Sequence, residues 1–180
     1  SGIKIGLQYI TNRSPEDIIE LHKFNKPIFY DGKFFDIKNT LVESIRSLKN
    51  LNIHYATVHL LNGLESLKAA NQAANDINIK LLGVSVLTSF DDNDLLKLGF
   101  KDSVKDQVLR LIEIANEANL YGVICSPHEI KIIKSIAPNL KCFTPGIRID
   151  NSKDDQKRIM TAKEAILAGS DYLIIGRPIT

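Results

Sequence analysis

Tyr30-Asp31-Gly32-Lys33-Phe34-Phe35-Asp36-Ile37 is the stretch of this chain whose side chains are best equipped for chemistry. Asp31 and Lys33 stand two apart at the end of a strand-like run, a spacing that puts both on one face of a pleated strand. Lys4, between Ile3 and Ile5, would lie on the same inward face about 4.8 Å away if its strand is the neighbour in register. Asp36 follows in the loop leading to the next helix. Two carboxylates and two ammonium groups then alternate in one pocket. Their formal charges cancel, which makes partial burial tolerable, whereas any one of them alone would be costly to bury. A cluster of this kind either performs electrostatic work on a bound group or ties two strands together as an ion-pair network. Spacing alone leaves both readings open.

The elements that must position these residues alternate along the chain. Short β-branched runs fall at residues 3–5, 27–31, 54–59, 80–86, 121–125, 141–144 and 171–175. Helical periodicity falls between them, at 15–24, 40–50, 64–75, 103–119, 127–137 and 162–167. Ser14-Pro15-Glu16 supplies an N-cap, a proline at the first helical position and an acidic first turn, and Ser126-Pro127 repeats that signal. Repeated β-then-α units imply a parallel sheet with right-handed crossovers, either open and doubly wound or closed as a (β/α)8 barrel. Polar side chains gathered at strand C-termini suit the top of a barrel, and no G-x-G-x-x-G follows the first strand. The expectation is a single-domain (β/α)8 TIM barrel over residues 1–180, reduced to about seven strands. The chain reads as a barrel without its first βα unit and its last helix.

Composition narrows the partners. With 180 residues, 44% hydrophobic and 24% charged, the chain has the balance of an ordinary globular domain rather than a disordered one. No apolar run approaches a membrane span. Lys+Arg of 23 against Asp+Glu of 21 gives +2, too balanced to point to nucleic acid or a membrane surface. Cys125 and Cys142 sit in apolar, strand-like contexts without metal-ligand spacing, and read as small buried side chains. The expected address is the cytoplasm.

Several motifs, taken in order, carry a resemblance. Lys4-Ile5-Gly6 is followed by Asp31-Gly32-Lys33-Phe34-Phe35-Asp36-Ile37-Lys38-Asn39-Thr40. Val84-Ser85-Val86-Leu87-Thr88-Ser89, Val123-Ile124-Cys125-Ser126 and Thr144-Pro145-Gly146-Ile147-Arg148 come next. Asp155-Gln156-Lys157-Arg158-Ile159-Met160-Thr161 and Gly176-Arg177-Pro178-Ile179 complete the series. Over essentially its whole length the chain resembles orotidine 5′-monophosphate decarboxylases of bacterial type. The resemblance implies decarboxylation of orotidine 5′-monophosphate to uridine 5′-monophosphate in pyrimidine biosynthesis, with no metal or organic cofactor. It assigns Lys4, Asp31, Lys33 and Asp36 to a catalytic charge network and implies a homodimer in which Asp36 and Thr40 cross to the partner's site. Thr88 matches a residue that hydrogen-bonds the pyrimidine, and Gln156, Gly176 and Arg177 match phosphate ligands. Chemistry agrees with these matches. The guanidinium of Arg177 is a planar fork suited to phosphate oxygens, and Gly146 and Gly176 would let backbone N–H groups approach an anion. Thr88 and Ser89 serve equally well as a helix cap, and Gly146 as a plain turn. In the implied mechanism Lys33 stabilises and then protonates the developing carbanion, while Asp31 crowds the substrate carboxylate.

The match is imperfect. Phe35 replaces the usual His, Lys38 the usual Pro, and His59-Leu60-Leu61-Asn62-Gly63 a segment richer in small residues. The family's first strand, which brings an Asp to the ribose, has no counterpart here. Two alternatives follow: a Mg²⁺-dependent sugar-phosphate decarboxylase or synthase of the same suprafamily, and an inactive truncated remnant that only binds nucleotides. His22 and His128 read as exposed; His54 and His59 bracket a strand, and His59, which could face the barrel mouth, reads as a packed, hydrogen-bonded histidine. Residues 147–158 read as a lid over phosphate.

Overall fold

The computed structural model of the chain describes residues 1–148, 160–176 and 179. In chain order the strands are β1 (Ile3–Gly6), β2 (Ile28–Phe34), β3 (Tyr55–His59), β4 (Lys80–Val84), β5 (Gly122–Ile124), β6 (Lys141–Thr144), β7 (Ile147–Arg148), β8 (Met160–Thr161) and β9 (Tyr172–Leu173). Seven of them form one sheet in the order β1-β2-β3-β4-β5-β6-β9, every pairing parallel, and β7 and β8 make a separate parallel pair. The helices are α1 (Leu7–Asn12), α2 (Pro15–Glu20), α3 (Lys38–Ser47), α4 (Leu64–Asp76), α5 (Asp92–Lys97), α6 (Val104–Glu117), α7 (Ile130–Ile136) and α8 (Ala162–Leu167).

Ring contacts decide between an open sheet and a barrel. β2 and β6 are four strand spacings apart, about 19 Å if the sheet were flat. Yet the rings of Phe29 and Phe143 have centroids 6.0 Å apart, and Tyr55 of β3 stands 6.1 Å from Tyr172 of β9. The sheet is therefore curled on itself, as the (β/α)8 expectation requires. Phe29, Leu82 and Phe143 fill its concave interior with Tyr55, Tyr121, Ile124 and Ile174 against them. The other face of the same strands offers Ile28, Ala56, Val58, Leu81 and Val123 to Leu41, Ile45, Leu67, Ile112 and Ile133 of the surrounding helices, all buried. Each large aliphatic side chain buried this way contributes roughly 1.5–3 kcal/mol. Among the described residues no strand pairs β1 with β9, and no helix is long and apolar enough to cross a membrane.

Helix ends follow local chemistry. Ser14 caps α2 in a capping box with Asp17, and Ser103 caps α6. Ser126 caps a 3₁₀ turn over Pro127–Glu129 that leads into α7. Asn25, Asn52, Asn78 and Asn119 have φ of 49°, 48°, 60° and 53°, and each turns the chain out of a helical segment toward the next strand. The patterns expected at 15–24 and 40–50 finish as 3₁₀ turns over Leu21–Phe24 and Leu48–Leu51 rather than as α-helix. α1 and α5 were not legible. α1 has six residues, none buried, and no side-chain cap, so it leaves no amphipathic trace. α5 is capped by Asp91 with Asp94, which replaces the expected cap at Thr88 or Ser89. His22 is not simply exposed: its Nε2 lies 3.0 Å from the Leu51 carbonyl oxygen.

Candidate active site

The C-terminal ends of the parallel strands share one rim, where barrels carry their sites. Lys4 on β1 pairs in register with Phe29 on β2, so Lys4, Phe29 and Asp31 share the inward face. The Lys4 Nζ lies 3.2 Å from Asp31 Oδ2, and the Lys33 Nζ 3.0 Å from Asp31 Oδ1. Asp31 is buried, while both lysines keep about a third of their side-chain surface in solvent, 35% and 33%. Burial pushes the Asp31 carboxyl up, but the adjacent charges of Lys33 and Lys4 and their hydrogen bonds outweigh it and hold it below the usual carboxylate range. Within one chain, two ammonium groups face one carboxylate, a net positive mouth suited to an anion.

Plain alternation does not bring Lys33 to Asp31. Register runs from Tyr30↔Ala56 to Phe34↔Val58, four steps on β2 against two on β3, so β2 bulges across Asp31, Gly32 and Lys33. Lys33 takes φ 48°, the left-handed region that a lysine enters only under constraint. A Cβ at Gly32 would come within 2.8 Å of the Tyr30 ring. The backbone N–H of Lys33 is taken by Thr57 Oγ1 at 2.8 Å, and the Thr57 hydroxyl donates to Asp31 Oδ1 at 3.0 Å. Thr57 went unnoticed in the sequence. Its signal was a lone polar residue between Ala56 and Val58.

Asp36 does not join the other three within the chain. It is exposed, and its Oδ1 accepts from the N–H of Ile37 at 2.7 Å. Asn62 holds this loop: its Nδ2 donates to the carbonyls of Phe34 (3.0 Å) and His59 (2.7 Å), and its Oδ1 accepts from the Asp36 N–H (3.1 Å). Asn62 is a second residue missed in the sequence. Thr40 is exposed on the first turns of α3, which starts at Lys38 without a proline. Phe35 and Ile37, on either side of Asp36, are 62% and 73% exposed. His59 is packed and hydrogen-bonded as expected: its Nδ1 accepts from the Leu61 N–H, its ring lies 5.6 Å from that of Phe35, and burial pushes its pKa down.

Thr88 is half-buried in the loop after β4, and its side chain has no hydrogen-bond partner among the described residues. Gly146, after β6, has φ 78°, so the turn there needs glycine. Gly176 is exposed beyond β9, and no described atom lies within 4 Å of where a Cβ would stand. Gln156 and Arg177 lie outside the described residues, as do residues 149–158 of the expected lid. No group of three or more His, Cys, Asp or Glu placed to hold a metal ion occurs among the described residues.

Comparisons with known proteins show the family and the fold. The model of the family described as orotidine 5′-phosphate decarboxylase / HUMPS matches residues 1–180. An orotidine 5′-phosphate decarboxylase of Wolbachia pipientis is 41% identical over 99% of this chain and 79% of its own length. Its counterpart in Dichelobacter nodosus is 44% identical over 99% of this chain and 80% of its own length. A crystal structure of orotidine 5′-phosphate decarboxylase from Lactobacillus acidophilus superposes with a TM-score of 0.85 at 33% identity, covering 98% of this chain and 78% of that one.

Proposed function

Because the chain belongs to the orotidine 5′-phosphate decarboxylase / HUMPS family, we propose that it converts orotidine 5′-monophosphate to uridine 5′-monophosphate, a step of pyrimidine biosynthesis. The observation that carries the reading is the buried Asp31 carboxylate held between Lys4 and Lys33 at the rim. Breaking the bond between ring and carboxylate releases CO₂ and leaves the electron pair on a ring carbon with little resonance help. A fixed cation is the remedy, most effective where water is sparse. Lys33 supplies that charge and then a proton from Nζ, and solvent reprotonates the amine. Asp31 stands beside the departing carboxylate and orients both lysines. Contacts to the remote phosphate lower the barrier when they strengthen in the transition state. Gln156, Gly176 and Arg177 fill that role, and Thr88 contacts the pyrimidine. The side chains themselves provide the charges, so no cofactor is required.

The same reading makes the working unit a homodimer, with Asp36 and Thr40 completing the partner's site. Its support is that Asp36 is exposed and stands between the exposed side chains of Phe35 and Ile37. Exposed aromatic and aliphatic side chains such as these are what a subunit contact covers, and a carboxylate between them is kept only where the partner offers it a counter-charge.

The test is loss of orotidylate absorbance with the purified protein, with and without EDTA, and with Lys33→Ala. Turnover that survives EDTA and falls by at least about 10³-fold in Lys33→Ala, with uridylate still bound, supports the reading. The family description also covers HUMPS members, which favours a sugar-phosphate activity as the second reading. Inertness toward orotidylate together with Mg²⁺-dependent turnover of a sugar phosphate would transfer the assignment to it.

A further inference from the structure

Thr57 is wholly buried on β3, with a hydroxyl that bonds to both halves of the Asp31–Lys33 pair. A hydroxyl has one proton to give. Since its oxygen accepts the Lys33 N–H, that proton is committed to Asp31 Oδ1, and the direction of both bonds is set. The bulge in β2 removes the Lys33 N–H from the β2–β3 ladder, so without Thr57 Oγ1 this donor would be left unpaired beside a half-buried chain. The same oxygen atom therefore holds the left-handed turn at Lys33 and the carboxylate that the Lys33 Nζ addresses.

Building on the decarboxylase reading, we propose that Thr57 is a positioning residue. It locks the Asp31 carboxylate and the Lys33 backbone into one rigid unit, so that Nζ meets the reacting carbon in a single orientation. It touches neither substrate nor the reacting atoms. Its effect on turnover passes through Asp31 and Lys33 and belongs to the chemical step rather than to nucleotide affinity.

Thr57→Val keeps the shape and removes the hydroxyl, and Thr57→Ser keeps the hydroxyl and removes a methyl. In Thr57→Val, kcat is expected to fall about 10- to 100-fold while KM stays within about 3-fold, and Thr57→Ser should return kcat to within about 3-fold of wild type. Carbon NMR of ¹³C-labelled Asp31 supplies a readout independent of turnover: the carboxyl should titrate at higher pH in Thr57→Val and at the wild-type position in Thr57→Ser. Should Thr57→Val not fold, Thr57→Cys, close in size and a weak hydrogen-bonder, takes its place in both measurements. An Asp31 titration unchanged by loss of the hydroxyl, or a Thr57→Ser variant as impaired as Thr57→Val, overturns the proposal. A wild-type protein inert toward orotidylate would defeat the decarboxylase reading alone, and the Asp31 titration would still decide whether Thr57 sets the carboxylate.

Discussion

Asp31 accepts from Lys4, Lys33 and Thr57 at once, so three donors converge on one nearly buried acid. Removing its charge leaves two ammonium groups facing each other without a counter-ion. Asp31→Asn is therefore expected to abolish turnover and to cost about 1–3 kcal/mol of stability at pH 7, measured by urea unfolding. The pH dependence has a definite sign. The folded-state pKa of Asp31 is depressed, so its contribution is fully present above the unfolded carboxylate value of about 3.9 and is lost as pH falls through the folded value. The stability gap between wild type and Asp31→Asn should narrow on acidification below about pH 5. A gap that widens there would contradict the assignment of Lys33 and Lys4 as the groups that hold the carboxyl down.

At the scale of elements, the site depends on the join between β2, β3 and the loop that follows each. The bulge in β2 aims Lys33, and Asn62, in the turn after β3, ties the loop carrying Asp36 to the ends of both strands through three hydrogen bonds. Asn62→Ala leaves the Phe34 carbonyl and the Asp36 N–H without these partners. It should lower kcat/KM about 5- to 50-fold and melting stability by about 1 kcal/mol. Steady-state kinetics and a thermal melt check this. A variant with unchanged kinetics but reduced stability would confine Asn62 to a structural role.

For the whole molecule, the question is where the fourth charge comes from. Asp36 makes no ion pair with the other three among the described residues of its own chain, and in the proposed homodimer a second subunit supplies the fourth charge. Coexpression of Lys33→Ala with Asp36→Ala chains tests this. Random pairing makes about half of the dimers mixed, and each mixed dimer holds one site with both residues intact, so about a quarter of wild-type turnover should return from two inactive parents. Activity no higher than that of either parent would show that Asp36 does not act across the subunits.

The alternation of strands and helices, the parallel sheet and the Lys4–Asp31–Lys33 cluster were all legible in the sequence. The alternation and the caps at Ser14 and Ser126 rest on local signals, and Lys4 meets Asp31 because β1 and β2 are neighbours in register, whereas Lys33 reaches Asp31 through the bulge rather than through alternation. Tertiary structure decided the rest. The pairing order runs sequentially across the sheet without the reversal of a doubly wound fold, and the curl that brings Phe29 to Phe143 shows that the sheet is rolled up rather than flat; both are set by contacts between strands distant in the chain. Only the β2–β3 register reveals the bulge, since an extra pair of residues is defined against the neighbouring strand and not within its own. Thr57 and Asn62 stayed hidden for the same reason: the β2 and loop groups they bond, on Asp31, Lys33, Phe34 and Asp36, lie 24 to 28 positions away in the chain, and a hydroxyl or an amide has no meaning for the site until folding supplies those groups.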